Sequence, residues 1–162
     1  MADGRAYERL TRDHLDRLAD IARRDRGDLF RRRPHLEVFR DRVLTVALCQ
    51  GAAVHYVDGR NGVKDFDVWT LYAEHPEVNY PHRRRGEIGF GPSELSGWSE
   101  RVSLLGRSLP YPAGHDPVAV WQDYLGMPRT ETARPLARKA VVLLEPVATR
   151  GRIAWPLQYR DT

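Results

Sequence analysis

The chain has a single cysteine, Cys49. An internal disulfide is therefore excluded, and so is a zinc site built on cysteines. Long apolar runs are absent as well. The longest, around Val46–Cys49 and Ala140–Leu144, fall far short of the ~20 residues a membrane-spanning helix needs. The N-terminal MADGRAYERL lacks the apolar stretch of a secretory signal, so the cytoplasm is the expected compartment. There is no repeat, no low-complexity tract, no linker and no serine-triad or zinc-hydrolase pattern. Lysine is scarce: of 26 basic residues only Lys64 and Lys139 are lysines. The arginine fork suits phosphate and carboxylate, and a net charge of +4 is compatible with nucleotide or RNA ligands without demanding them. What remains is 162 residues, 41% apolar and 30% charged, which predicts one globular domain over residues 1–162.

The pattern along the chain alternates helices and strands. Thr11 caps an expected amphipathic helix to about Arg32, with Leu15, Leu18, Ala22 and Leu29 near helical spacing and Pro34 ending it. Val43–Cys49 reads as a buried strand. Gln50 opens a short helix through Val57, with Gly59 as its stop, and Asn61-Gly62 signals a turn. Asp65–Tyr72 alternates as a second strand. Residues 74–100 read mostly as loop, with a short strand at Glu87–Phe90. Val102–Leu105 is a further strand that Gly106 is expected to stop. Asp116-Pro117 caps a helix bearing Val120, Trp121, Tyr124 and Leu125, and Gly126 ends it. A last helix is expected over Thr132–Leu144. The pattern predicts an α/β (α+β) layer fold, a small mixed sheet flanked by helices.

Two stretches suggest chemistry. On a strand, Asp65 and Asp67 share a face, with Cβ atoms about 6–7 Å apart by the pleat repeat. Like charges so close repel unless a cation lies between them, and oxygen ligands of this kind suit Mg²⁺ or Mn²⁺. Trp69 and Leu71 continue the same face, which points to partial burial. Gly51 stands where a strand hands over to a helix, and free N–H groups there favour an anion at close approach. Packing between strand and helix is the alternative reason for this glycine. Lys64, beside Asp65, and Arg101 and Arg107, flanking the later strand, are candidate phosphate cations. A carboxylate pair beside an anion-binding helix start is the combination phosphoryl or nucleotidyl transfer requires.

Gly51-Ala52, followed after 14 positions by Asp65-Phe66-Asp67-Val68, resembles the signature of the nucleotidyltransferase superfamily with the polymerase-beta-like fold. The resemblance covers about Val43–Tyr72 and, more loosely, Val102–Leu105. It implies a minimal nucleotidyltransferase-like domain in which Asp65 and Asp67 are the catalytic, metal-holding carboxylates. Gly51 and Ala52 would then lie against a nucleoside triphosphate. The acceptor would be a small molecule, a protein side chain or an RNA end. Two positions depart from the family pattern: Ala52 stands where Ser or Gly is usual, and Ser103 stands where a third acid is expected, with Glu87 and Glu100 as stand-ins. These departures define the alternative, a degenerate member that binds nucleotide, RNA or protein without transfer. A metal-dependent nuclease using Asp65, Asp67 and Glu87 is a third reading.

Other candidates have plainer explanations. His55 with Asp58 reads as a partly buried, hydrogen-bonded histidine rather than a metal pair. Cys49 reads as a core residue. His82-Arg83-Arg84-Arg85 reads as a basic loop, either solvated or folded over a polyphosphate or RNA.

Overall fold

The computed structural model describes residues 9–59, 62–81, 83–90, 101–127 and 130–156; over 83–88 it describes the backbone. The elements are α1 (Arg12–Arg32), a 3₁₀ helix (Pro34–Arg42), β1 (Val43–Cys49), α2 (Gln50–Asp58), β2 (Asp65–Ala73), β3 (Arg83–Gly89), β4 (Arg101–Leu109), α3 (Pro117–Gly126), α4 (Ala133–Ala137), β5 (Ala140–Glu145) and β6 (Ile153–Trp155). The strands form one mixed sheet in the order β3-β4-β2-β1-β5-β6. Only β2 and β4 run parallel; the other neighbours are antiparallel. The expected α+β layer fold is the fold observed.

Helices cover both faces. Leu15, Leu18, Ala19 and Ala22 form the i, i+3, i+4, i+7 stripe of α1. They are buried with α2 against Val46, Leu48, Phe66, Val68, Val142 and Leu144. On the opposite face, α3 and α4 bury Val120, Trp121, Leu125 and Leu136 against Ala47, Cys49, Trp69, Val141 and Leu143. Each fully buried large side chain contributes on the order of 1.5–3 kcal/mol. The backbone N–H of Thr11 donates to His14 Nδ1 at 2.8 Å, closing the first turn of α1. Arg150 ties the turn after β5 back to α1: it donates to Asp16 at 2.7 Å and to the Leu144 carbonyl at 2.8 Å. The Arg150 hydrogen bond holds the Asp16 carboxyl below its ordinary range, and Arg12 adds to the effect.

Three expectations are corrected. The helix expected over Thr132–Leu144 is a single turn followed by strand β5. Val141 and Leu143 pack on one face while Ala140, Val142 and Leu144 pack on the other. A continuous apolar run of this kind reads alike for a buried helix or strand, and pairing with β1 decides it. Gly106 does not stop β4, which runs on to Leu109. The glycine instead admits Tyr80, whose hydroxyl lies 2.9 Å from where a Cβ would stand. Arg83–Arg85 belong to edge strand β3 rather than to a loop; charged residues are a common guard on a sheet edge. His82, Glu100 and Asn61 of the expected turn lie outside the described residues.

Candidate functional site

β1 and β2 are antiparallel neighbours, and their register sets Cys49 opposite Asp67. The chain turns sharply at the end of β1. Gln50 takes the left-handed region at φ 61°, which costs a non-glycine residue about 1–2 kcal/mol, and it starts α2 at the C-terminal end of the central strand β1. Cys49, the residue before α2, makes no side-chain cap bond, and the first turn of α2 contains no acid. Its leading N–H groups therefore meet no anionic competitor from that turn. Gly59, at φ 69°, ends the helix as expected.

One cleft gathers most of the residues singled out by the sequence. Gln50, Gly51, Ala52, Lys64, Asp65 and Asp67 line it together, within about 490 Å³. That volume lies in the usual range for small-ligand sites, about 300–1,000 Å³. Asp65 is exposed and Asp67 half-buried. Of the two explanations for Gly51, packing fails: a Cβ added there meets nothing within 4 Å. The glycine leaves the helix start open on the cleft side.

Two cations that the sequence reading passed over complete the wall, Arg138 and Lys139. They follow α4 and precede β5, and nothing in their local pattern marks them. Only the pairing of β5 with β1, continued by the bridge from Gln50 to Ala140, brings them beside the start of α2. Arg107 is not in this cleft. It lines another hollow, where its Nη1 donates to the Tyr124 hydroxyl at 2.9 Å and to Thr130 Oγ1 at 3.4 Å. Its position four residues beyond Ser103 puts it about 13 Å further along β4.

The sheet register defines the neighbourhood of the acids. Asp67 stands opposite Ser103 on β4, and Ser103 stands opposite Glu87 on β3. Cys49, Asp67, Ser103 and Glu87 thus occupy one cross-strand row. Ser103 is only 1% exposed. Cys49 is enclosed, and burial, reinforced by the charge of Asp67, pushes its thiol well up. It stays a protonated core residue and not a nucleophile. His55, on α2 itself, is likewise buried.

Among the described residues no group of three or more His, Cys, Asp or Glu side chains is placed to hold a metal ion. Two carboxylates, Asp65 and Asp67, line the cleft, and an Mg²⁺ site commonly takes one or two carboxylates and completes its shell with water and phosphate oxygens. A second tightly fixed ion has no third carboxylate among the described side chains. No described helix is long and apolar enough to cross a membrane. No protein-family model and no curated protein matches the chain.

Proposed function

We propose that the chain binds a nucleoside triphosphate together with one Mg²⁺ (or Mn²⁺) in the cleft between α2 and β2, as a nucleotidyltransferase-like domain with weak or no transfer activity. The observation that carries this reading is the shared cleft. The open start of α2 at Gln50–Ala52, both aspartates, and Lys64, Arg138 and Lys139 all face one space. Asp65 and Asp67 hold the hydrated cation. Backbone N–H groups at Gly51 and Ala52 receive phosphate oxygens, and the cations offset the remaining charge. Bound Mg²⁺ supplies charge neutralisation of the triphosphate.

The binder reading is favoured over full transferase activity by Ser103. The residue beside Asp67 on the neighbouring strand is a buried hydroxyl, and two-metal chemistry needs carboxylates that fix both ions. A small molecule, an RNA end or a protein side chain would be the acceptor should transfer occur.

The test is a thermal-shift screen of the four ribonucleoside triphosphates with and without Mg²⁺, alongside α-labelled nucleotide incubated with an extract as acceptor pool. Nucleotide should stabilise the protein only with the metal, and little label should reach any acceptor. Asp65→Asn with Asp67→Asn should abolish the metal-dependent shift. A double variant that keeps the full shift refutes the site. Robust labelling that is lost with Asp67→Asn refutes the restriction to binding.

A further inference from the structure

A second cavity lies on the other face of the sheet, under the C-terminal half of α1. It encloses about 80 Å³ between Asp25, Arg26 and Leu29 of α1, Tyr72 of β2, Leu104 of β4 and Tyr80. At roughly 10–15 Å³ per water-sized probe, it has room for several waters or for a ligand of a few non-hydrogen atoms.

Its polar groups are unusual for a core. Arg26 has a side chain only 14% exposed, and its Nη2 pairs with Glu145 at 3.2 Å. Its Nη1 is buried and has no hydrogen-bond partner among the described residues. A guanidinium N–H left so is costly unless an acceptor reaches it. Beside it, Tyr72 and Tyr80 stack with ring centroids 4.5 Å apart. Burial pushes both hydroxyls upward, so they stay protonated, and they are hydrogen-bonded to each other. Gly106 leaves the space that the Tyr80 hydroxyl fills.

The charge balance selects the ligand. Among the described residues, Arg26, Arg32 and Arg33 line the cavity against one carboxylate, Asp25, while Glu145 is engaged by Arg26. The remaining walls, Leu29, Leu36, Pro81 and Leu104, are mainly apolar. We infer that this cavity is a binding site for a small monocarboxylate with an apolar body, its carboxylate received by Arg26 Nη1 and its body lying against the Tyr72–Tyr80 pair. The site is separate from the cleft at Asp65 and Asp67, so it stands or falls independently of the nucleotide reading.

Calorimetric titration of the whole chain with acetate and propionate, against acetamide and propionamide, tests this. The carboxylates should bind, and the amides should bind at least about tenfold more weakly. Replacing the ion pair as a unit, Arg26→Met with Glu145→Gln, should erase the preference. Ala22→Leu, which adds bulk at the cavity wall, should weaken both ligand types. No detectable carboxylate binding, amides binding as tightly, or a preference that survives the paired replacement would each overturn the inference. The comparison on the unmodified protein decides the matter even if a variant fails to fold.

Discussion

Replacing Gly51 by alanine separates a phosphate-binding helix start from a merely structural one. The glycine does not adopt a positive φ, and a Cβ there meets nothing within 4 Å. Alanine is therefore compatible with the native backbone and narrows the unfolded ensemble, a change worth about 0.4–1 kcal/mol of added stability. For a chain of this size that raises Tm by about 1–4 °C. The added methyl stands in the cleft where a phosphate would approach the helix N–H groups. Losing one charge-assisted hydrogen bond costs about 1.5–3 kcal/mol, or at least about tenfold in Kd. At a nucleotide concentration of about 100 Kd, the unmodified protein gains about 2.7 kcal/mol from ligand. With Kd raised tenfold to a hundredfold, the gain falls to about 0.4–1.4 kcal/mol. Thermal unfolding with and without Mg²⁺ and nucleotide reads both quantities. The expected signature is a variant more stable alone and less stabilised by ligand. A full ligand shift would show that no phosphate reaches Gly51, and a less stable free variant would show that the space above it is not open.

Arg138→Ala with Lys139→Ala should leave the free protein within about 0.5 kcal/mol, since both side chains are exposed. It should weaken nucleotide binding and flatten its salt dependence in titrations across ionic strength; an unchanged salt slope would remove these cations from the site. Asp16→Asn should cost less than about 1 kcal/mol near neutral pH, because Asp16 is 46% exposed. Its folded carboxyl is held low, so the difference from the unmodified protein is full above the unfolded carboxylate range near pH ~4 and vanishes as pH falls through the lowered value; urea unfolding at several pH values checks this. Ser103→Asp sets a carboxylate at a 1% exposed position beside Asp67 and should destabilise the metal-free protein by several kcal/mol, at about the scale of an unpaired buried charge. Mg²⁺ or Mn²⁺ alone should restore much of that stability, and metal-independent unfolding of the variant would refute a metal position above this row.

Local rules made much of this fold legible. Thr11, Pro34, Gly59 and Asp116 set helix limits through caps and stops, and the structure keeps them: Asp116 Oδ2 accepts from the Ala119 N–H at 2.9 Å. Strands β1 and β2 were readable because Val43–Cys49 is apolar throughout and Asp65–Tyr72 alternates at its start. What local pattern could not yield was pairing. The Ala140–Leu144 run suits helix or strand until β1 claims it. Gly106 looks like a terminator until Tyr80, 26 positions earlier, is seen to need the space. The same division holds at the cleft. Gly51 opens the short helix that joins β1 to its neighbour β2, which carries Asp65 and Asp67, so spacing alone brings them together. Arg138 and Lys139 arrive only through β5, and Arg107 is excluded only because β4 carries it too far along.

The charges in the cleft argue for a polyphosphate with its metal over either alone. Among the described residues lining the cleft, Lys64, Arg138 and Lys139 stand with Asp65 and Asp67, three cations to two carboxylates, so the cleft is close to balanced. A bare divalent ion finds two carboxylates but also three like charges. A bare triphosphate finds cations and a helix start but two carboxylates that repel it. Each ligand removes the other's penalty: the metal screens the aspartates from the phosphates, and the phosphates screen the metal from the cations. On the proposed reading, binding of metal and triphosphate would be positively coupled and reciprocal, with each raising the other's affinity by the same factor. A site built only to hold a structural cation would have no use for Arg138 and Lys139. An anion site of the ordinary helix-start kind would not place two aspartates on its rim.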